Sequence, residues 1–443
     1  MDPEPPNERL RAAVPENVRE VCRTLAAAGH QAVTVGGAVR DAILGHVPGD
    51  WDVATSAHPD AVISLFRHTV PTGLQHGTVT IVTGRGEHTH VEVTTFRGEG
   101  AYTDSRRPDH VVFGVPLVED LARRDLRVNA MAYDPANDQL IDPFGGQRDL
   151  DDRVLRAVGP TGDVYQDAVA RFTEDGLRVM RAVRFAAQLE FTLDPETERG
   201  IVPALLSLAK VSKERISDEL RKILATRRPS RALGIAERTG MIALILPELA
   251  RGFDRWASVR GGRAQAIEHW LARVDAASEP ARLGAFAAEL ASPDADACRL
   301  DRRAVKTAEA ELRQLKFSNE EAATAAVVVG AASGSLNAVL SDADLRRYLG
   351  DATRPRAPVV VSFWRADQAV SQADRASAIL ERNEPLTIND LAVKGTDLIE
   401  ALAMTPGPLV GRILAALLER VRDDPALNTR AQLIELGRNL ERP

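Results

Sequence analysis

The chain reads Val35-Gly36-Gly37-Ala38-Val39-Arg40-Asp41 early in its length and continues, after a short connection, to Asp50-Trp51-Asp52. An apolar run, Ala32–Val35, comes directly before the two glycines and predicts a short strand. A helix from Ala38 to Leu44 can start after the Gly-Gly turn, and Asp50 to Ala54 predicts a second strand. This combination of strand, glycine turn and carboxylate-bearing strand decides the fold of the first part of the chain.

The two aspartates have the spacing of a metal site. Asp50 and Asp52 stand at i and i+2, so on a strand they face the same side of the sheet. Such a pair can hold two divalent ions, which stabilise the attacking and the leaving oxygen in phosphoryl transfer. Magnesium suits carboxylates combined with substrate phosphates, and Glu92 on a neighbouring predicted strand could supply a third carboxylate. Two aspartates in this pattern are also common on protein surfaces, and the Gly-Gly upstream, twelve residues away, is what favours a metal site.

The glycine turn itself predicts a phosphate contact. Because Gly36 and Gly37 carry no Cβ, the backbone N–H groups of this turn can approach a triphosphate closely.

A second run, Arg123-Arg124-Asp125-Leu126-Arg127-Val128-Asn129-Ala130, combines cations with groups that can fix a loop. Asp125 and Asn129 can brace that loop while Arg124 reaches a phosphate or a sugar. The alternative is a capped helix start with its arginines on the exposed face.

A third run, Glu174-Asp175-Gly176-Leu177-Arg178-Val179-Met180-Arg181-Ala182-Val183-Arg184-Phe185, predicts a helix with a cationic face. Asp175, Arg178, Arg181 and Arg184 advance by three residues, so each neighbours the next. Asp175 can accept a hydrogen bond from an exocyclic amino group and Arg178 can donate to ring acceptors, which would read C or A and reject U and G. The alternative is a salt-bridge ladder, but three arginines in a row repel unless an anion or an outside carboxylate lies among them.

Composition favours a folded, multidomain, mainly helical protein. The chain has 443 residues, of which 44% are hydrophobic and only 4% aromatic. Its two cysteines form neither a disulfide framework nor a zinc site, and no signal peptide or membrane-spanning stretch is evident, so we expect a cytoplasmic protein without a membrane partner. The net charge of −7 hides local arginine clusters that can grip a phosphate backbone.

The hydrophobic pattern divides the chain near Pro160. Before this point it predicts a mixed sheet of four or five strands, including Val79–Val82 and Val91–Thr95, and a loop from Arg97 to Asp109. After it, helical periodicity dominates. The fold class predicted is therefore α+β, with helices only after about Arg148.

These three runs, in this order, resemble the class II tRNA nucleotidyltransferase and bacterial poly(A) polymerase family. Lys213-Glu214-Arg215-Ile216-Ser217-Asp218-Glu219-Leu220 resembles the last motif of that family, which braces the neck. The resemblance implies a polymerase-β-like nucleotidyltransferase head at 1–150, a helical neck for base recognition at 151–245, a helical body at 246–350 and a tRNA-binding helical tail at 351–443.

The resemblance also implies roles for individual residues. Asp50 and Asp52 would bind two Mg²⁺ ions, with Glu92 as a further catalytic carboxylate. The nucleotide would be held by the following residues: Gly36, Gly37, Arg40, Arg124, Asp175, Arg178, Arg181 and Arg184. The partners implied are the tRNA 3′ end, ATP and CTP, and no DNA is expected. The activity implied is addition of CCA to tRNA without a template.

Two regions depart from the family pattern. Leu126 and Arg127 replace an aromatic residue and a threonine that the second motif usually carries. Many relatives have a phosphohydrolase-like region marked by His-Asp, but here Ala288-Glu289 stands at that position and His269 is the one histidine nearby. We therefore expect no metal-dependent hydrolase activity from the body, because such a site needs several converging ligands.

Three other functions remain open. The first is addition of the terminal A alone, and the second is poly(A) synthesis, although Arg67–Gly73 lacks the arginine-rich character that this activity implies. The third is an inactive RNA-binding protein, which the costly pair of Asp50 and Asp52 disfavours. The polar segment Phe96–Pro108 matches a loop that A addition requires in this family, so we expect A addition and, by preference, all of CCA.

Overall fold

A computed structural model describes residues 5–84, 89–99, 111–295, 298–333 and 340–441. The chain forms two compact units, Met1–Leu244 and Ile245–Pro443. The first unit carries the β-structure and the three sequence runs described above. The second unit is helical throughout its described residues. The finer division into head, neck, body and tail stays a prediction.

Within the described residues, seven strands of the first unit form one mixed sheet in the order β3-β4-β5-β2-β1-β8-β9. The strands of the chain are β1 Ala32–Val35, β2 Asp52–Thr55, β3 Thr69–Gly73, β4 Thr78–Val82, β5 His90–Thr95, β6 Arg97–Glu99, β7 Val111–Phe113, β8 Ala132–Asp134, β9 Gln139–Ile141, β10 Val154–Leu155 and β11 Thr192–Leu193. β2 and β5 run parallel, whereas the other neighbours in the large sheet are antiparallel.

The sheet is larger than the sequence predicts. The expected four or five strands become seven, because β3, β8 and β9 are short or polar and give little alternation. The segment predicted as a loop from Arg97 is also partly wrong, since β6 pairs with β7 in an antiparallel ribbon. The central part of that segment, residues 100–110, lies outside the described residues. The short parallel pair of β10 and β11 corrects the expectation of helices only after Arg148.

β1 lies at the centre of the site-bearing part of the sheet, between β2 and β8. Its sequence, Ala-Val-Thr-Val, contains three β-branched residues, which favour a strand, and all four residues are buried. Val33 and Val35 belong to an apolar cluster that also contains Phe96, Leu121 and Val158. This core fixes the carboxyl end of β1, from which the glycine turn leads into the next helix.

The helices of the first unit surround this sheet and continue beyond it. They are α1 Pro6–Ala13, α2 Glu16–Ala27, α3 Gly37–Ile43, α4 Pro59–Leu65, α5 Leu117–Ala122, α6 Gly146–Asp152, α7 Val164–Glu174, α8 Leu177–Gln188, α9 Pro195–Arg199, α10 Ile201–Leu208, α11 Lys213–Leu224, α12 Pro229–Arg238 and α13 Met241–Ile245, the last ending at the start of the second unit. α7 begins where Asp163 accepts hydrogen bonds from two backbone N–H groups, a typical N-cap.

The secondary structure of the second unit, in its described residues, is helical. The helices of this unit are α14 Pro247–Arg260, α15 Arg263–Ala276, α16 Arg282–Ala287, α17 Arg302–Gln314, α18 Asn319–Gly330, α19 Asp342–Ala352, α20 Ala357–Ala366, α21 Val370–Glu381, α22 Gly395–Leu402, α23 Pro408–Asp423 and α24 Arg430–Glu441. α18 starts with a capping box between Ser318 and Glu321, and α14 ends at Gly261 with a φ of +87°.

The α+β fold class is confirmed. In the ranges that the structure describes, no helix combines the length and apolar character needed to cross a bilayer.

Candidate active site

A polar cleft of about 560 Å³ in the first unit brings together residues from all three sequence runs. It is lined by Gly36, Gly37, Arg40, Asp52, Arg123, Arg124, Asp125, Asn129, Asp175, Leu177, Arg178, Arg181, Arg184, Phe185, Gln188 and Arg215. Seven arginines face three aspartates in this lining, so the cleft has an excess of positive charge that suits a polyanion such as a triphosphate.

The glycine turn after β1 is shaped around Arg124. Gly36 has φ +79° and ψ −135°, a backbone conformation that L-residues rarely adopt. A Cβ at this position would lie 2.7 Å from Nη1 of Arg124. The N–H of Gly36 donates to the carbonyl of Met131 on the residue before β8, 3.3 Å away, which ties the turn to the sheet. The glycine is therefore needed both for the turn and for the space that the guanidinium takes.

Arg124 has unused hydrogen-bonding capacity. Its Nη2 lies 3.6 Å from Asp120, which also receives hydrogen bonds from the side chain of Arg123. Among the described residues, Nε of Arg124 is buried and has no hydrogen-bond partner. Because a buried N–H without an acceptor is costly, this atom indicates that an anionic ligand completes the site.

Two of the predicted carboxylates, Asp52 and Glu92, lie opposite each other on adjacent strands, and Asp52 lines the cleft. β2 and β5 are in parallel register with Asp52 directly opposite Glu92. Asp50 lies two residues before β2, so the sequence expectation that it belongs to the strand is wrong by two residues. Glu92 is outside the cleft lining but adjacent to Asp52 through the register.

Asp52 experiences a strong electrostatic effect from this arrangement. Its side chain is partly exposed to solvent, but the surrounding protein removes much of its hydration. This loss of hydration has the largest effect on the pKa of Asp52. That loss, with the nearby charges of Glu92 and Asp50, raises the pKa of Asp52 to about 6, although Arg124 acts in the opposite direction. Among the described residues, no three potential ligands form a ready-made metal cluster.

Asp125 and Asn129 form the brace that the sequence predicts. Asp125 Oδ1 accepts hydrogen bonds from the amide of Asn129 and from the N–H of Leu126, both 2.9 Å long. Asn129 Oδ1 accepts one of 2.6 Å from Arg40, which also bonds Asp41 and lies over the ring of Phe185. Arg40 is thus buried and held in place from several sides.

Arg181 joins this brace to α8. It donates to Oδ2 of Asp125 over 2.8 and 2.7 Å. Burial acts to raise the pKa of Asp125, but Arg181 and the hydrogen bond from Asn129 outweigh it and hold that pKa well below its usual range. The aspartate of the second run and the arginine of the third therefore form one ion pair.

Arg184 pairs with a carboxylate from a third element. It donates to Oε2 of Glu219 on α11, 2.7 Å away, and also bonds Gln188. The carboxylates of Asp125 and Glu219, which belong to other elements, therefore offset the repulsion expected between the arginines of α8. The ring of Phe185 has guanidinium groups of Arg40, Arg181 and Arg184 within 4.1–5.5 Å of its centre.

The two predicted base-reading residues are held separately. Asp175 precedes α8, which corrects the expectation that the helix includes it; its Oδ1 accepts from the N–H of Leu177 and its Oδ2 lies 2.9 Å from Nη2 of Arg215. Arg178 instead pairs with Glu174 and donates to the carbonyl of Arg171. Both nevertheless line the same cleft.

Nine of the predicted site residues line this one cleft, whereas Asp50 and Glu92 lie outside its lining. Phe185, Gln188 and Arg215 were not predicted as site residues. Phe185 lies in the third run and Arg215 in the Lys213–Leu220 motif, so membership of these motifs could have predicted them as site residues. No sequence feature predicted Gln188 as a site residue.

The region with the altered His-Asp position contains a buried ionic cluster in the second unit. Arg273 donates to both oxygens of Glu289, over 2.7 and 2.6 Å, and to Oδ1 of Asp367 over 3.3 Å. Nε2 of His269 lies 2.6 Å from the same Asp367 oxygen. The carboxylate at the altered position is thus paired with a guanidinium. Lack of hydrolase activity stays a prediction.

A mixed sheet with carboxylates on adjacent parallel strands, beside an arginine-rich cleft closed by a helical segment, defines a nucleotidyltransferase. The family description "Poly A polymerase head domain" matches residues 32–156. "Probable RNA and SrmB-binding site of polymerase A" matches 190–253, and "tRNA nucleotidyltransferase domain 2" matches 300–436.

Individual relatives match nearly the whole chain. A CCA-adding enzyme of Lactiplantibacillus plantarum is 37% identical over 442 residues, 95% of each chain, and one of Lactococcus lactis is 35% identical over 420 residues, 93% of this chain and 94% of the relative. The Bacillus stearothermophilus CCA-adding enzyme in complex with CTP superposes with a TM-score of 0.69 at 30% identity, covering 99% of both chains. The chain belongs to the CCA-adding enzyme family of tRNA nucleotidyltransferases. These enzymes generally use divalent metal ions.

Proposed function

We propose that this protein adds C, C and A to the 3′ end of tRNA, without a nucleic-acid template and with CTP and ATP as donors. The observation that carries this proposal is the cleft, whose lining contains the metal-binding candidate Asp52, the triphosphate-binding candidate Arg124 and the base-reading candidates Asp175 and Arg178. The CTP complex of the similar Bacillus stearothermophilus enzyme supports a nucleoside triphosphate in that space.

We assign two Mg²⁺ ions to Asp50 and Asp52, with Glu92 as a third carboxylate. Asp52 and Glu92 lie opposite each other in the β2–β5 register, and Asp50 is near enough to raise the pKa of Asp52. These carboxylates are the anionic oxygen donors that Mg²⁺ prefers. When bound, the ions activate the 3′ oxygen of the RNA and stabilise the charge on the leaving pyrophosphate. Asp52 acts in the ionised form and holds its position through the strand.

Arg124 binds the triphosphate in this proposal. Its Nε is buried and lacks an acceptor among the described residues, so a phosphate or sugar oxygen would satisfy it. The turn at Gly36 and Gly37 leaves room for the phosphates beside the guanidinium. Arg40 holds the neighbouring loop through Asn129, and Arg181 and Arg184 fix α8 against the second run and α11.

Asp175 and Arg178 select the base. The carboxylate accepts a hydrogen bond from the exocyclic amino group of C or A, and the guanidinium donates to the adjacent ring nitrogen. U and G present a carbonyl oxygen where C and A present the amino group, so their binding would leave the carboxylate facing another acceptor.

We assign the remaining parts of the chain by their place in this reaction. Residues 1–150 form the catalytic head and 151–245 the neck with the base-reading residues. The body at 246–350 is structural, and the tail at 351–443 binds tRNA. Because its substrates are cytoplasmic tRNA and nucleoside triphosphates, we also propose a cytoplasmic location.

The test supplies each nucleoside triphosphate separately to tRNA that lacks its 3′ end, ends in C, or ends in CC. We expect CTP to extend the first two substrates and ATP to extend only the third. Extension of the third substrate alone would establish A addition instead, and long A tails would establish poly(A) synthesis. No extension of any substrate in Mg²⁺, with tRNA binding retained, would refute the enzymatic proposal.

A further inference from the structure

Asp175 is fixed by a residue from a different helix. Arg215 lies on α11 and donates from Nη2 to Oδ2 of Asp175 over 2.9 Å, although the two are separated by 40 residues in the chain. The other carboxylate oxygen accepts the N–H of Leu177 at the start of α8, 3.0 Å away. Protein donors therefore engage both carboxylate oxygens, which restricts rotation of the carboxyl group.

Arg178 does not make this contact. It pairs with Glu174, which Arg171 also contacts from 3.0 Å, and it donates to the Arg171 carbonyl. The spacing of Asp175 and Arg178 would allow a local ion pair, but the protein gives each its own partner. The protein therefore orients the two groups independently of each other.

We propose that Arg215 is a positioning residue for base selection, which orients the carboxylate of Asp175 toward the amino group of C or A. This inference rests on the proposed function. Each carboxylate oxygen has two lone-pair directions, and Arg215 and the Leu177 N–H use one each. The remaining lone pairs can only accept hydrogen bonds, which favours an amino group over a carbonyl.

The exposure of the pair separates this role from a purely structural one. The side chains of Arg215 and Asp175 are 38% and 26% exposed, and both line the cleft. Exposed ion pairs contribute little to stability, so loss of this one should leave the fold intact. Its effect should appear in the choice of nucleotide, because discrimination depends on the orientation of one hydrogen-bonding group.

The experiment compares Arg215→Met, Arg215→Gln and Arg215→Lys with the wild type on tRNA lacking its 3′ end. The quantity measured is the ratio of kcat/KM for CTP to kcat/KM for UTP. We expect Arg215→Met to lower this ratio by about tenfold or more and Arg215→Lys to restore most of it. Arg221→Met is the matched control, because Arg221 is on the same helix, pairs with Asp218 and is outside the cleft lining. Its ratio should equal that of the wild type.

Combination with Asp175→Ala tests whether Arg215 acts through Asp175. If it does, Arg215→Met should change the ratio no further in the Asp175→Ala background. An unchanged ratio in folded Arg215→Met, or an equal additional loss in the double variant, would overturn the inference. If Arg215→Met melts at a much lower temperature than the wild type, Arg215→Gln replaces it in both comparisons, and the same two results would overturn the inference. A wild type that does not add CTP refutes the proposed function itself, a separate result.

Discussion

Replacement of Gly36 by alanine should damage nucleotide use through Arg124. The residue has φ +79° and ψ −135°, a conformation that costs a non-glycine residue about 1–3 kcal/mol. The added methyl group would also lie 2.7 Å from Nη1 of Arg124, closer than any stable contact. The flexible arginine can yield where the backbone cannot, so we expect the variant to fold with a displaced guanidinium.

The kinetic magnitude follows from the interaction that is displaced. A hydrogen bond to a charged group contributes about 1.5–3 kcal/mol, and each 1.36 kcal/mol changes a rate tenfold. Loss of the contact between Arg124 and the triphosphate should therefore lower kcat/KM for CTP by about 10- to 100-fold. The assay is single-nucleotide addition to tRNA lacking its 3′ end over a range of CTP concentrations, with the melting temperature measured in parallel.

Gly29→Ala supplies the control for backbone strain alone. Gly29 has φ +85°, but an added Cβ would have no atom within 4 Å. We expect this variant to lose about 1–3 kcal/mol of stability, or some 2–4 °C of melting temperature per kcal/mol, with unchanged kcat/KM. Equal kcat/KM values for Gly36→Ala and Gly29→Ala would refute the reasoning, because they would show that the position of Arg124 does not affect nucleotide use.

Asp52→Ala should lower catalysis by several kcal/mol of transition-state stabilisation while tRNA binding persists, and single-turnover activity within about tenfold of wild type would contradict this. Asp175→Ala and Arg178→Ala should each admit UTP or GTP, measured as misincorporation; wild-type selectivity with lower rates would instead assign them to positioning alone. Shortening of Gly98–Ser105 should abolish A addition and spare CC addition on the corresponding tRNA substrates, and wild-type completion of CCA would make the segment a spacer. Arg273→Met should destabilise the second unit by about 3–5 kcal/mol in urea unfolding, because it removes the guanidinium that pairs with the buried carboxylate of Glu289, and an unchanged transition would show that the cluster contributes little.

Most residues of the site could be predicted from local sequence motifs. The strand Ala32–Val35 has the predicted bounds, because four apolar or β-branched residues before two glycines leave few other structures. Most residues that line the cleft were predictable for the same reason, because they lie within short runs whose chemistry is visible locally, whereas Gln188 lies outside these runs. Asp50 was misplaced by two residues, which is the usual uncertainty of an element's end.

The pairing of the arginines could not be read from local sequence. Arg184 meets Glu219 and Arg181 meets Asp125, contacts that span 35 and 56 residues. Such partners depend on how α8 packs against α11 and the second run, which one sequence does not reveal. Short strands such as β8 and β9 were missed because three residues give too little alternation to distinguish a strand from a turn.

Under the proposed function, these long-range ion pairs would allow the cleft to select a base without a template. Hydrogen bonds to a base discriminate only if the protein groups cannot turn to meet a different partner. The cleft meets this condition because Arg181 and Arg184 are fixed by carboxylates of other elements, while Arg215 fixes Asp175. Arg124 differs, since its buried Nε has no acceptor among the described residues. Under the proposed function, the residues fixed by these ion pairs would read the base, and Arg124 would bind the phosphates.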